Sequence, residues 1–337
     1  MKLKSILMGT VAAAIAISST LPARAEFADR TLRLSNGVNQ DHPVGNGVEA
    51  MRACLNEKSG GKMKIADFWG GALGGDLQAT QALRSGTQEM VVTSSSPLVG
   101  IIPALGVFDL PFLFANEQEA DAILDGEFGK YISDMLPEFG VINLAYWENG
   151  FRNLTNSKRP VEKWEDLEGM RVRVMQNNIF LDTFANMGAN AMPMSFGEVY
   201  SALETKTIDA QENPFVTIDT SKFYEVQEYL SVTRHAYTPF LVLFSKPIWD
   251  TLADDEKAAL QECAIVGRDE QRRASRALSD KSLENVKQAG LKVNEVAPEE
   301  YQRMVEKAQS VYAKHAESIG KEVVERMQAA LAELRKQ

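Results

Sequence analysis

The sequence predicts an α/β fold, and three observations carry that prediction. Short apolar or alternating runs recur between segments of helical spacing, so strand, helix, strand, helix, strand follow one another from Thr31 to Ser96. That is the order of a parallel sheet with crossover helices. A second round of the same order begins at Val141. The 337 residues, 45% hydrophobic and 24% charged, suit two domains of roughly 100–200 residues each and exclude wholesale disorder or a polytopic membrane protein.

The elements follow in order. Thr31-Leu32-Arg33-Leu34-Ser35 alternates apolar and polar residues, as a strand with one buried face does. A polar loop leads to a helix from about Val44 to Lys58, closed by Ser59-Gly60-Gly61. Lys62-Met63-Lys64-Ile65 is the next strand, Leu77 to Ser85 the next helix, and Met90-Val91-Val92 a buried strand ending in Thr93-Ser94-Ser95-Ser96-Pro97. In the second round, Val141 to Trp147 reads as a strand. Arg171-Val172-Arg173-Val174 alternates faces, a helix runs from about Asn178 to Met187, and another opens at Ser195 or Phe196. From Asp250 onward the chain is mostly helical. Leu260, Cys263, Ala264 and Gly267 share one face, and an amphipathic tail covers Pro298 to Gln337.

The first 25 residues read as a signal peptide. Lys2 and Lys4 precede an apolar stretch from Ile6 through Ile17, and Ala23-Arg24-Ala25 offers an A-x-A cleavage site, which would leave Glu26 first. The expectation is a periplasmic protein that is not embedded in the membrane. Removing residues 1–25 takes away Lys2, Lys4 and Arg24 and no acid. The charge then moves from −10 (36 basic, 46 acidic residues) to −13. Such an acidic chain lacks the basic face a nucleic-acid binder needs. Cys54 and Cys263 lie 209 residues apart on helical segments. An oxidising compartment permits a bond, but two separate buried thiols are the expectation.

Enzyme chemistry finds little support. His42, His235 and His315 are widely spaced, and no HExxH, CxxC, GxSxG or P-loop pattern occurs, so neither metal nor cofactor is expected. Gly45-Asn46-Gly47-Val48-Glu49-Ala50 fits the loosest dinucleotide fingerprint, but reads better as glycines near a helix start. Asp254, Asp255 and Glu256 read as acids of a first helical turn.

The informative stretch is central: Gly150-Phe151-Arg152, then Arg171-Val172-Arg173-Val174, then Phe196-Gly197-Glu198-Val199-Tyr200-Ser201-Ala202-Leu203, then Ile208-Asp209-Ala210-Gln211-Glu212-Asn213-Pro214. This series resembles the substrate-binding proteins of tripartite ATP-independent periplasmic (TRAP) transporters, dicarboxylate-binding branch. Their usual pattern is G-x-R near the hinge, a strand ending in R-V, an F-x-E-x-Y-x-A-L helix and a D-G-Q-E-N-P turn; Ala210 stands here in place of the usual glycine. Lys58-Ser59-Gly60-Gly61-Lys62 and Leu73-Gly74-Gly75-Asp76 are similar too, so the likeness spans residues 26–337.

The resemblance implies a two-domain periplasmic binding protein fold. Each domain would be a sheet flanked by helices, with hinge strands and long C-terminal helices spanning both. The expected division is 26–149 plus 239–279, and 150–238 plus 280–337. It also implies a monomer that closes on a small organic acid, a C4-dicarboxylate or sugar acid, and hands it to membrane permease subunits. The rival readings are a binding protein of an ATP-driven importer or sensor, or a secreted enzyme.

Arg173 is the residue implied to pair with a ligand carboxylate. On an alternating strand Val172 and Val174 face the core and Arg173 faces away, and a guanidinium matches a carboxylate through two parallel hydrogen bonds. Arg152 is implied to lie near the ligand, with a hinge-locking salt bridge as the alternative; Arg171 reads as structural. Asn213, held extended by Pro214, can aim its amide at a ligand. Gln176 and Phe196 match cleft-lining positions, with a core role open for Phe196. Asn39, Ser94 and Ser95 follow strands of the first domain, where polar groups face a cleft; each is also a possible turn residue. Trp69 and Trp147 either wall the pocket or pack in the core, and Glu198 reads as structural.

Overall fold

The computed structural model describes residues 27–336, so the expected signal peptide at 1–25 lies outside the described residues. The chain folds around one nine-stranded mixed sheet flanked by helices. Its first half contains β1 (Arg30–Asn36), β2 (Met63–Phe68) and β3 (Met90–Ser94), with α1 (Val44–Ser59) and α2 (Asp76–Arg84) as crossovers. β1 pairs in parallel with both neighbours, as strands joined through helices must. Two short helices follow, α3 (Glu117–Asp125) and α4 (Glu127–Met135).

The second half repeats the logic. β4 (Val141–Asn156) leads to β5 (Arg171–Val174), α5 (Asn178–Asn186), β6 (Asn190–Pro193), α6 (Val199–Glu204), β7 (Ala210–Asn213) and α7 (Phe215–Thr220). β5 pairs in parallel with β6 and β7. The chain then runs through β8 (Tyr229–Ser245), α8 (Lys246–Trp249), α9 (Asp254–Gln288), β9 (Lys292–Glu295), α10 (Pro298–Ile319) and α11 (Lys321–Leu334). The strand order is β2-β1-β3-β8-β4-β7-β5-β6, with β9 on β8.

The two halves are joined by the long antiparallel pair β4 and β8, of 16 and 17 residues. Their register shifts between Asn143 and Ala145, Glu148 and Gly150, and Arg152 and Leu154. The first two shifts each insert one residue in β4, Leu144 and Asn149, and the third leaves residues 232–235 of β8 opposite Asn153 alone. Such insertions bend a strand. The 35-residue α9 packs on α1 and β4 and continues to α7, so one helix supports both halves. The amphipathic tail read as one helical segment is two helices, broken at Gly320, where φ is 108°.

Apolar burial decides how α1 meets α9. Trp147 is fully buried between them and donates Nε1 to Ala264 O at 3.0 Å. A Cβ on Gly47 or on Gly267 would lie 2.6 Å from that indole. The glycine pattern near residue 47 therefore serves helix packing over a tryptophan. On the same contact Cys54 and Cys263 form a disulfide with Cα atoms 5.5 Å apart, which corrects the expectation of two separate thiols. Both lie on facing helix surfaces, a proximity that sequence separation cannot express.

Candidate ligand-binding site

β5 turns Arg173 into a cavity where the two halves of the sheet meet. Val172 and Val174 point into the core of the second half, so period-two alternation sends the arginine the other way. Its side chain is 2% exposed. Nε and Nη2 both donate to Met194 O, at 3.0 and 2.7 Å, which fixes the plane of the guanidinium. Nη1 is buried and has no hydrogen-bond partner among the described residues. The edge formed by Nη1 and the remaining Nη2 hydrogen is thus left as a donor fork. Burial pulls the guanidinium down to about 10, against the raising effect of Glu212 and Asp76, so it stays charged at neutral pH.

The cavity leaves about 40 Å³ for the centres of solvent molecules, room for a few waters. The first half contributes Asn36 and Ser94 from the ends of β1 and β3, Asp76 from the first turn of α2, and Phe240 from β8. β4 contributes Asn149, and the second half contributes Met175, Phe196, Asn213 and Thr217. Asn36, Ser94, Asp76, Met175 and Asn213 lie at or beyond strand carboxyl ends or at a helix start, where α/β sheets hold ligands. Asn149 and Phe240 instead lie within the long strands β4 and β8.

Of the residues expected from sequence, Arg173, Asn213, Phe196 and Ser94 are brought together here. Asn213 accepts from Arg152 Nη2 at 3.0 Å through Oδ1 and donates Nδ2 to Gln211 Oε1 at 2.6 Å, so its amide orientation is fixed. Ser94 places its hydroxyl 3.5 Å from Met175 Sδ of the other half. Phe196 both lines the cavity and stacks edge-on against Phe223 at 6.0 Å, so the two roles weighed for it coincide.

The others lie elsewhere. Asn39 is exposed in the groove outside the cavity, its Nδ2 3.4 Å from Thr220 O of the opposite half. Gln176 is exposed and Ser95 fully buried, and neither lines the cavity. Ser95 precedes a short 3-10 turn over Ser96–Leu98, and its buried hydroxyl has no hydrogen-bond partner among the described residues.

Arg152 also stands behind the lining and not in it. It donates Nε to Glu212 Oε2 at 2.5 Å and Nη2 to Glu212 O at 2.6 Å. Nη1 reaches Thr238 Oγ1 at 3.3 Å. Burial pushes the Glu212 carboxyl up, but the Arg152 charge and the hydrogen bonds from His235 and Arg152 outweigh it and hold the group below the usual range. The geometry is that of the alternative weighed for Arg152, a salt bridge tying β4 to β7 at the strand junction. Arg171 pairs with Asp209 at 2.7 Å. Trp69 and Trp147 both pack with the first-half core and neither lines the cavity.

Four lining residues escaped the sequence reading as ligand groups. Asn36 uses Oδ1 to accept from the Val38 amide at 3.0 Å, while its buried Nδ2 has no partner among the described residues. Asn149 is the residue inserted by the register shift between Glu148 and Gly150; its Oδ1 is buried and without a partner among the described residues. Thr217 Oγ1 lies 3.3 Å from Nε2 of His42. Asp76 accepts from Thr93 Oγ1 at 2.8 Å. Burial pushes its carboxyl up, opposed by that hydrogen bond and by the Arg173 charge. Plain alternation could not reveal Asn149, because the bulge breaks the alternation at that residue.

Among the described residues no cluster of three or more His, Cys, Asp or Glu could hold a metal ion, and no helix is long and apolar enough to cross a membrane.

Comparison with known proteins agrees with this architecture. A sugar acid binding protein from Advenella mimigardefordensis, solved in complex with galactonate, is 44% identical with a TM-score of 0.89, over 91% of this chain and 99% of that one. A TRAP periplasmic solute binding protein from Sulfitobacter with bound β-D-galacturonate is 30% identical, TM-score 0.84, over 91% and 100%. The 2,3-diketo-L-gulonate-binding periplasmic protein of Escherichia coli is 35% identical over 293 residues, 87% of this chain and 88% of its own length. Residues 34–319 match the DctP family, described as bacterial extracellular solute-binding protein, family 7. The chain belongs to that family, the solute-binding proteins of TRAP transporters.

Proposed function

We propose that this protein is the periplasmic solute-binding subunit of a TRAP transporter. In this reading it captures a small organic acid, a sugar acid or C4-dicarboxylate, and delivers it to the membrane permease subunits. A signal peptide ending at Ala25 exports it. Lobes 26–149 plus 239–279 and 150–238 plus 280–337 close over the ligand through the β4–β8 junction. No bond is made or broken on the ligand. One observation supports this above the others: a buried arginine lining a cleft cavity, held in plane by a carbonyl, whose Nη1 has no partner among the described residues. A carboxylate fits that fork with two parallel charge-assisted hydrogen bonds. Phe196 and Asn213 would confine it, with Ser94 on the facing lobe, while Asn39 stands in the groove outside the cavity. Arg152 would act from behind by holding Asn213, while Gln176 and Ser95 stand outside contact.

Losing a buried partner of an ion pair costs about 2–5 kcal/mol. Arg173→Ala should therefore weaken binding of an organic acid such as galactonate by tens to thousands of fold in titration calorimetry, with Arg173→Lys intermediate. Near-native affinity in Arg173→Ala would overturn the assignment.

A further inference from the structure

The same cavity that offers Arg173 also offers an anion. Asp76 opens α2 and lines the cavity with one carboxylate oxygen held by Thr93. The second buried arginine nearby adds no free cation, because Glu212 occupies Arg152 on two edges. Around Asp76 and Arg173 stand one unpartnered buried donor, Asn36 Nδ2, and one unpartnered buried acceptor, Asn149 Oδ1, in side chains 3% and 5% exposed. Thr217 adds a hydroxyl: with His42 Nδ1 accepting from the Val44 amide, Nε2–H donates to Thr217 Oγ1, whose own hydrogen is then free to donate.

This donor and acceptor set does not suit two carboxylates. A carboxylate only accepts, so a second one needs a second cation or several donors, and it would meet Asp76 as a like charge in a water-poor cavity. A hydroxyl donates and accepts at once. It can donate to Asp76 or Asn149 Oδ1 while accepting from Asn36 Nδ2, satisfying buried groups that otherwise stay unpaired. Resting on the Arg173 reading above, we propose that Asp76 is a specificity-determining residue that selects acids with one carboxylate on a hydroxylated chain and rejects a second carboxylate. Selection by a hydrogen-bonding site of this kind is sharp, because the wrong ligand leaves its polar groups unsatisfied.

The test uses galactonate and galactarate, which share a carbon chain and its hydroxyls and differ only where a terminal CH2OH becomes a second carboxylate. Calorimetry on the full exported protein should give galactonate at least 100-fold tighter binding than galactarate. Asp76→Asn keeps the shape and an acceptor for Thr93 but removes the charge; it should narrow that ratio at least tenfold, by weakening galactonate and strengthening galactarate. Thermal melts confirm that the variant is folded, and the wild-type ratio stands without it. Equal or tighter binding of galactarate by the wild type overturns the proposal. So does an Asp76→Asn variant that weakens both acids alike, as a merely structural α2 residue would. If the wild type binds neither acid nor any other carboxylate, the Arg173 reading itself fails, an outcome distinct from an unchanged ratio.

Discussion

His42 is buried, with Nδ1 accepting from the Val44 amide and Nε2 3.3 Å from Thr217 Oγ1. The neutral ring satisfies both contacts, whereas a protonated Nδ1 would face an N–H donor. Burial accordingly pulls its pKa down to about 3. Asp109 lies deep as well, accepting from Ser96 Oγ at 2.5 Å and Asn177 Nδ2 at 2.6 Å; burial pushes it up to about 7, against those hydrogen bonds. The signs are opposite. Between pH 6.5 and about 3 the unfolded chain protonates His42 and the native state does not, so stability falls on acidification. Between about 7 and 3.8 the native state holds a proton on Asp109 that the unfolded chain lacks, so stability rises on acidification. Urea denaturation from pH 7.5 to 4.5 should separate them. The advantage of wild type over His42→Gln should shrink, approaching about 1.4 kcal/mol per unit, and its advantage over Asp109→Asn should grow. Differences independent of pH would show that neither group is shifted.

Elements set by local chemistry were legible and those set by distant contacts were not. α1 ends at Gly60 with φ 60°, and β5 alternates Val172 and Val174 against Arg173, both readable from a few neighbouring residues. β8 was not read as one strand. Most of its 17 residues are buried on both faces, so no alternation shows, and Pro239 interrupts it at the junction where it meets Glu148. The α1–α9 contact is wholly non-local, and the disulfide within it gives the next prediction. Closing a loop across 209 residues removes unfolded-state entropy worth about 5 kcal/mol in the chain-entropy model, with about 2–5 kcal/mol typical of native bonds. Cys54→Ser with Cys263→Ser should therefore lose about 2–5 kcal/mol in urea denaturation. Dithiothreitol should bring the wild type down to the same value and leave the double variant unmoved. If reductant leaves wild-type stability unchanged, the bond contributes nothing.

At the scale of the whole molecule, the charge of the chain and the charge of its proposed ligand conflict. The protein carries −10, or −13 once residues 1–25 are removed, and an organic acid approaching it is repelled at long range. Motif order singled out Arg173, which lines the cleft cavity, as the residue proposed to pair with a carboxylate. It did not make legible how the surrounding polar groups are shared, because Arg152 is claimed by Glu212 only when β4 and β7 pair. On the proposed reading, one unspent guanidinium fork then holds the anion against the field of the surface. The two act over different distances. Surface repulsion is screened with a Debye length of about 10 Å at 0.1 M salt and about 30 Å at 0.01 M, whereas Arg173, 2% exposed, is shielded from mobile ions. Raising salt should therefore remove more repulsion than attraction. In stopped-flow fluorescence with galactonate, the association rate should rise by a few fold from 10 to 200 mM sodium chloride, while dissociation changes little. A rate that falls with salt would mean that the cleft mouth presents a net positive field, and that capture is steered by more than the arginine at its floor.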